Sequence, residues 1–127
     1  MAKKAVRDAV VARLAANFSS ATILNLNEDV LAPSPPWVRV EFPVANNSQA
    51  ALNRRYREMG SFRVAVATAV RSGVSTSEDL CEAISTVFRN QLFSGVYCMV
   101  PTIREGVDDG SLFMASVIVP YRYEYND

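Results

Sequence analysis

The sequence predicts an α+β domain with a mainly antiparallel sheet and two helices packed on one face. Two segments repeat apolar residues at helical spacing, and several others alternate apolar and polar residues as half-buried strands do. Their order is helix, short strand, two hairpin strands, helix and two further hairpin strands. The chain has 127 residues, of which 50% are hydrophobic and 20% charged. This length and composition predict one globular domain over residues 1–127.

The first helix is predicted from Met1 to Phe18. Its apolar side chains form one stripe at helical spacing: Val6, Ala9, Val10, Leu14 and Phe18. A short strand is predicted at Thr22 to Leu26. The Ala-Pro-Ser-Pro-Pro run at 32–36 predicts a stiff connector, because proline lacks an amide donor and restricts the residue before it.

Two strands are predicted to form the first hairpin. Residues 37–42 alternate, which places Trp37, Arg39 and Glu41 together on an exposed face. Alternation resumes from Phe62 to Arg71. The intervening chain is polar without a core period, so we expect a protruding polar arm at about 43–60 and an unusually long connection.

The second half is predicted to contain a helix and a closing hairpin. The helix is expected from Ser75, which has capping-box spacing to Glu78, to about Phe93. Strands are predicted at 96–100 and 112–125. The segment between them is expected to be a turn, because it is rich in glycine and aspartate: Gly106, Asp108, Asp109 and Gly110. Pro120 predicts a sheet edge or a bulge.

The residue types argue against catalysis. The chain has no histidine, which removes Ser-His-Asp and Cys-His sites and the commonest zinc ligand. Its five glycines are scattered without phosphate-loop spacing. Cys81 and Cys98 are far apart and are expected to be buried, reduced thiols. We therefore predict no enzyme, no catalytic residue, no metal and no cofactor. No long apolar run is present, so we expect a soluble protein made in a cytoplasm, with no membrane partner.

Local charge is more informative than net charge, because the 13 basic and 13 acidic residues balance. One basic concentration contains an aromatic residue: Arg54, Arg55, Tyr56, Arg57 and, further on, Arg63. The opposite pole is acidic: Glu105, Asp108 and Asp109. A basic loop and an acidic turn could pair head to tail between copies and close a ring. The basic run could instead be solvated or bind a phosphate backbone, although zero net charge disfavours nucleic acid.

A further acidic group lies at the start of the second predicted helix. Its members are Glu78, Asp79 and Glu82. They could form a metal or acid/base cluster. The favoured interpretation is that carboxylates in a first turn complement the helix dipole.

Several strings together resemble one family over nearly the whole chain: AVRDAVVARLAANF, PPWVRVEF, GSFRVAVATAVRSGVSTSEDLCEAISTVFRNQ and SLFMASVIVPYRYEY. They are similar to the tail terminator, or tail completion, proteins of long-tailed bacteriophages. The resemblance implies a structural virion protein of the tail or neck, assembled in the host bacterial cytoplasm. It implies a ring, expected to be a homohexamer, that caps the tail tube, ends tail polymerisation and offers a head-joining surface.

The partners implied are copies of the chain itself, the tail tube protein and a head-completion or neck protein. The nucleic acid expected is DNA passing through the ring lumen. The interface is expected to use the basic run, the exposed strand face and the acidic turn: Arg54, Arg55, Tyr56, Arg57, Arg63, Trp37, Arg39, Asp108 and Asp109. The alternatives are a head–tail connector, neck adaptor or head-closure protein and, less favoured, a small nucleic-acid-binding module.

Overall fold

The computed structural model describes residues 3–24, 36–51, 54–69, 74–108 and 112–126. Within these ranges the chain forms two helices and seven strands. In chain order they are α1 Lys4–Asn17, β1 Thr22–Leu24, β2 Trp37–Ala51, β3 Arg55–Ala69, α2 Val74–Phe88, β4 Leu92–Phe93, β5 Val96–Cys98, β6 Thr102–Asp108 and β7 Leu112–Asn126.

The strands form one sheet in the order β1-β2-β3-β7-β5-β4, and β6 also pairs with β7. The β1–β2 pair is parallel and the other pairs are antiparallel. The last strand of the chain therefore lies at the centre. Strands β3 and β7 stay in register without a bulge from the Arg55–Asn126 pair to the Ala69–Leu112 pair.

Alternation along the strands gives the sheet one apolar face, and both helices cover it. Val6, Val10 and Leu14 of α1 belong to the same buried cluster as Ile84 and Phe88 of α2. The strands contribute valines and aromatic residues: Val38, Val40, Phe62, Val64, Val66, Val117, Val119 and Tyr121. The predicted α+β class, with two helices on one face of a mainly antiparallel sheet, is confirmed.

The segment predicted as a long irregular connection is mostly paired strand. Strand β2 continues to Ala51 and β3 begins at Arg55, and the two keep pairing up to that point, with irregularities after Glu41 and Gln49. The expected long connection is thus wrong. The apolar period is missing because the side chains at 46–49 are all exposed, so no face of β2 there has to be apolar. Backbone hydrogen bonds to β3, which is itself paired with β7, hold the strand instead.

Helix α2 ends at Phe88, five residues before the predicted end. Asn90 has a φ of 53°, a left-handed conformation that terminates helices. Leu92 and Phe93 then form β4, which pairs with β5 across a two-residue turn. Both turn residues, Ser94 and Gly95, have positive φ, as a type I′ hairpin requires.

The segment predicted as a glycine-rich turn contains a strand. Asp108 lies in β6 opposite Phe113, whereas Asp109 and Gly110 lie outside the described residues. Gly106 sits at an irregularity in this pairing. A Cβ atom there would clash with the ring of Phe113, so glycine lets that ring pack against β6.

Pro120 lies in the central strand β7 and not at the sheet edge. Its carbonyl oxygen accepts a 2.9 Å hydrogen bond from the backbone N–H of Met99. The nitrogen and carbonyl of one strand residue point to the same side. The donorless nitrogen therefore faces the break between β5, which ends at Cys98, and β6, which begins at Thr102. Because the neighbouring strand is interrupted opposite this nitrogen, proline is tolerated here as it is at a sheet edge.

Candidate interaction surface

The sheet face opposite the helices carries a concentration of arginines. The cross-strand pairs place Arg57 beside Glu124 and Arg63 beside Glu41, on the face away from the core. We call this surface the basic face and define it by five guanidinium groups: Arg39, Arg55, Arg57, Arg63 and Arg122. Two carboxylates, those of Glu41 and Glu124, share it with them.

Glu41 is held between two arginines. Arg39 donates to its Oε1 atom through Nε at 2.9 Å and Nη2 at 2.7 Å. Arg63 donates to Oε2 through Nε at 2.9 Å, and through Nη2 as well. Burial opposes ionisation, but the hydrogen bonds and charges of Arg63 and Arg39 prevail, and the pKa of Glu41 lies below its ordinary value. This cluster keeps one surplus positive charge.

Glu124 also lies among several arginines: Arg55, Arg57 and Arg122. Arg57 donates to its Oε1 atom from Nη2 at 2.7 Å and from Nε at 3.1 Å. These bonds lower the pKa of Glu124 against an opposing effect of desolvation, and the charges of Arg57, Arg55 and Arg122 add to the lowering. Three cations around one carboxylate leave two surplus positive charges. Exposed pairs of this kind orient side chains more than they stabilise a fold.

An exposed row of larger side chains crosses the same face. Met59 of β3 lies opposite Arg122 of β7, Arg122 opposite Tyr97 of β5, and Tyr97 opposite Leu92 of β4. The Arg122 guanidinium carbon lies 5.6 Å from the centre of the Tyr97 ring. Met59 is 46% exposed and Leu92 is 69% exposed. Aromatic, methionine and arginine side chains are enriched at protein interfaces, so we name these four residues the exposed row and include it in the candidate surface.

The structure brings most of the predicted arginines together. Arg39, Arg55, Arg57 and Arg63 all lie on the basic face, and Arg54 is exposed beside it at the β2–β3 turn, with a φ of 61°. The exposed row and Arg122 were not predicted. The signal was available, because the last strand alternates tyrosines with Arg122 and Glu124.

Tyr56 does not join the arginines beside it in sequence. It lies on the helix side of the sheet, where its ring stacks on Tyr125 at 5.5 Å between centres. Tyr125 in turn stacks on Tyr123 at 5.9 Å, and the Lys3 ammonium lies 4.1 Å from the centre of the Tyr125 ring. The expected combination of Tyr56 with Arg55 and Arg57 on one surface is therefore wrong.

Trp37 was expected to be exposed, and that expectation is wrong. The residue is 5% exposed and lies opposite Ala67, with the Arg39 guanidinium 5.9 Å from its ring. The small side chain of Ala67 leaves room for the indole. The indole N–H has no hydrogen-bond partner among the described residues. Of the acidic turn, the Asp108 side chain and the whole of Asp109 lie outside the described residues.

A buried carboxylate anchors the first helix to the sheet. Glu58 is fully buried, and its two oxygens accept from the Tyr121 hydroxyl at 2.7 Å and from the Lys3 backbone N–H at 3.1 Å. Burial, followed by the neighbouring carboxylate, raises the pKa of Tyr121. Lys3 is the N-cap of α1 and makes no side-chain cap of its own. Glu58 thus supplies a negative group where the helix dipole favours one.

Both cysteines are buried and free, as predicted. Burial raises the pKa of Cys81 to about 11 and that of Cys98 to about 12. In the described part of the chain, no three histidine, cysteine, aspartate or glutamate side chains lie close enough to hold a metal ion. None of the described helices has the length and apolarity needed to span a membrane.

The family model of the phage tail terminator protein matches residues 5–121. The chain belongs to the phage tail terminator family. This family is structural and non-enzymatic, so the prediction that the chain is not an enzyme is confirmed, and the chain is a structural component of a phage tail.

Two solved structures share the fold of this family member. The match to the first covers 100% of this chain and 99% of the chain in that structure, with a TM-score of 0.69 and 18% sequence identity. The other comes from the virion of a native gene transfer agent particle, with a TM-score of 0.59, 18% identity and coverage of 94% and 95%. No curated protein matches the chain.

Proposed function

We propose that this protein is a tail terminator in the full sense: copies form a ring, expected to be a hexamer, that caps the tail tube and ends its polymerisation. The same ring would offer the surface to which a head-completion or neck protein joins. The observation that carries this proposal is the basic face, with its surplus of guanidinium groups and its exposed row, on a chain of zero net charge. A surface of this kind is complementary in charge to an acidic surface on another protein, and binding to such a partner is favourable.

The geometry indicates how binding alone could do this work. Arginine forks recognise carboxylates through two parallel hydrogen bonds, and on β-strands their positions are fixed by the backbone ladder. The β2–β3 hairpin carries Arg54, Arg55 and Arg57 at its far end. We propose that this end is the protruding arm of a single domain and that it contacts the tail tube protein or the next subunit. DNA would pass through the lumen of the ring without sequence-specific contacts.

The fold match to a chain of a gene transfer agent virion supports a place in an assembled particle. The tail or neck of the virion is the location proposed, after assembly in the host cytoplasm. The separation of Tyr56 from Arg55 and Arg57 removes the feature that favoured a nucleic-acid-binding module.

The test is electron microscopy of particles assembled without this protein. We expect overlong tails, because nothing would stop tube polymerisation. Tails of normal length beside unjoined heads would contradict the proposal and support a neck adaptor or head-closure protein.

The arm is tested by replacing Arg54, Arg55 and Arg57 together with glutamate. We expect a folded protein, judged by circular dichroism, that no longer shortens tails in a complementation assay. The matched control replaces the same three residues with lysine, which keeps the positive charge and should retain most termination. If the glutamate variant terminates tails normally, the arm is not the contact.

A further inference from the structure

Helix α2 carries exposed charge opposite in sign to that of the basic face. The basic face lies on the helix-free side of the sheet. On the helix side, α2 exposes Glu78, Asp79 and Glu82. Within the described ranges none of these three carboxylates is in an ion pair.

The helix dipole does not account for these carboxylates. We expected them in a first turn, but α2 begins at Val74 and its first turn holds no acidic residue. The dipole effect falls off within the first turn. The interpretation of Glu78, Asp79 and Glu82 as first-turn acids is therefore wrong. Their exposed carboxylates are available to bind another molecule.

The outward side of α2 carries four exposed side chains at helical spacing. Asp79, Glu82, Ala83 and Thr86 follow one another at helical spacing and are all exposed. We call these four residues the acidic stripe. Ala83 is its smallest side chain, so it leaves a shallow place between carboxylates where a methionine or leucine side chain can pack.

We propose that the basic face of one copy docks on the acidic stripe of the next copy, with the exposed row seated over Ala83. This inference rests on the proposed ring and names its subunit contact. Like surfaces cannot pair here, because arginine would face arginine, or carboxylate would face carboxylate. The contact is therefore heterologous, and repeated heterologous contacts close into rings when the rotation permits.

The charges of the two surfaces are opposite in sign. The basic face has five guanidinium groups for the two carboxylates of Glu41 and Glu124, and the acidic stripe offers the carboxylates of Asp79 and Glu82. Docking would pair guanidinium groups with carboxylates while burying Met59 and Leu92, two exposed large apolar residues of the basic face. Guanidinium–carboxylate pairs around an apolar centre are typical of specific protein interfaces.

Crosslinking tests the geometry directly. Met59→Cys and Ala83→Cys are placed in one chain, and assembled tails are treated with a short bis-maleimide. The native thiols are buried and keep a raised pKa, so they should not react. We expect a ladder of covalent oligomers from the double variant and none from either single variant.

The matched control combines Met59→Cys with Ala12→Cys, which is exposed on α1, and should give no ladder. A ladder from the control, or a dimer from Met59→Cys alone, would overturn the inference. So would the absence of a ladder from the double variant in tails of normal length. In that last case the proposed termination still stands, whereas normal tails without any of this protein would refute termination itself.

Charge exchange is the second measurement. Asp79→Arg with Glu82→Arg should lower the number of terminated tails at least about tenfold, because the contact would become repulsive. Adding Arg55→Glu and Arg122→Glu to that variant should restore most of the loss. If the four-site variant is no better than the two-site variant, the two surfaces do not meet.

Discussion

Glu58 and Glu124 show how burial decides what a carboxylate does. Glu58 is fully buried and accepts from the Tyr121 hydroxyl and the Lys3 backbone. Glu124 is exposed on the opposite face of the sheet and pairs with Arg57. The first holds a helix in place, whereas the second belongs to a surface.

Replacing Glu58 with alanine should therefore cost about 2–4 kcal/mol of unfolding free energy, because the buried Tyr121 hydroxyl and the partly buried Lys3 N–H would both lose their acceptor. Urea unfolding monitored by circular dichroism measures this cost. Glu124→Ala is the control and should change stability little, since its pair is exposed. Equal losses in the two variants would show that Glu58 is not a buried anchor.

The sequence gives no sign of this role. Glu58 lies in a polar stretch next to Arg57, and Tyr121 is far away along the chain. Their contact depends on the β3–β7 register, which places Gly60 opposite Tyr121.

At the scale of elements, the hairpin between β4 and β5 contains a local conflict. Ser94 adopts a φ of 48°, a left-handed conformation that serine disfavours, and Gly95 follows at 82°. Asparagine and glycine are the residues that such two-residue turns prefer.

Ser94→Asn should thus stabilise the protein by about 0.5–1 kcal/mol, since the strain of the positive φ is relieved. The thermal midpoint should rise by a few degrees. Ser94→Val is the opposite control, because a β-branched residue tolerates positive φ worst, and it should lower the midpoint. A midpoint that falls for Asn and Val alike would contradict the type I′ turn.

Prediction of elements succeeded where an apolar face had to be buried. The stripe of α1 and the alternation of residues 62–69 both face the core and were identified. It failed where pairing alone holds a strand, as at residues 44–51 and in β6. Hydrophobic period carries no information there, because hydrogen bonds to a neighbouring strand hold the backbone.

For the whole molecule, the buried thiols set an alkaline limit to stability. Cys81 and Cys98 have pKa values raised from 9.0 to about 11 and about 12, so the folded state keeps their protons while the unfolded chain releases them. Their contribution is fully present below about pH 9 and is lost as pH rises through the folded values.

Stability should fall by up to about 1.4 kcal/mol per pH unit for each thiol above about pH 9. Urea midpoints between about pH 8 and pH 11 measure the slope. Cys98→Ala should give a shallower slope, whatever its stability at neutral pH, because it removes one ionisable group. An unchanged slope would mean that Cys98 does not stay protonated in the folded state.

The layered architecture and the structural role were predictable from the sequence, and the composition of the basic face was only partly so. Arg39 and Arg63 fall on the predicted outward face of their strands, and Arg55 and Arg57 were singled out as a charge run. Placing Arg122 beside them required the register of β7 against β3 and β5. Register depends on contacts between distant segments, which local patterns do not encode.

The central place of the final strand has a consequence for synthesis. Strand β3 cannot complete its long ladder until β7, which lies far along the chain, has left the ribosome. Until then a nascent chain carries the apolar side of β3 with one edge open, which is a state that associates with other chains. Premature pairing between neighbouring nascent chains during this interval is therefore the hazard that this topology creates.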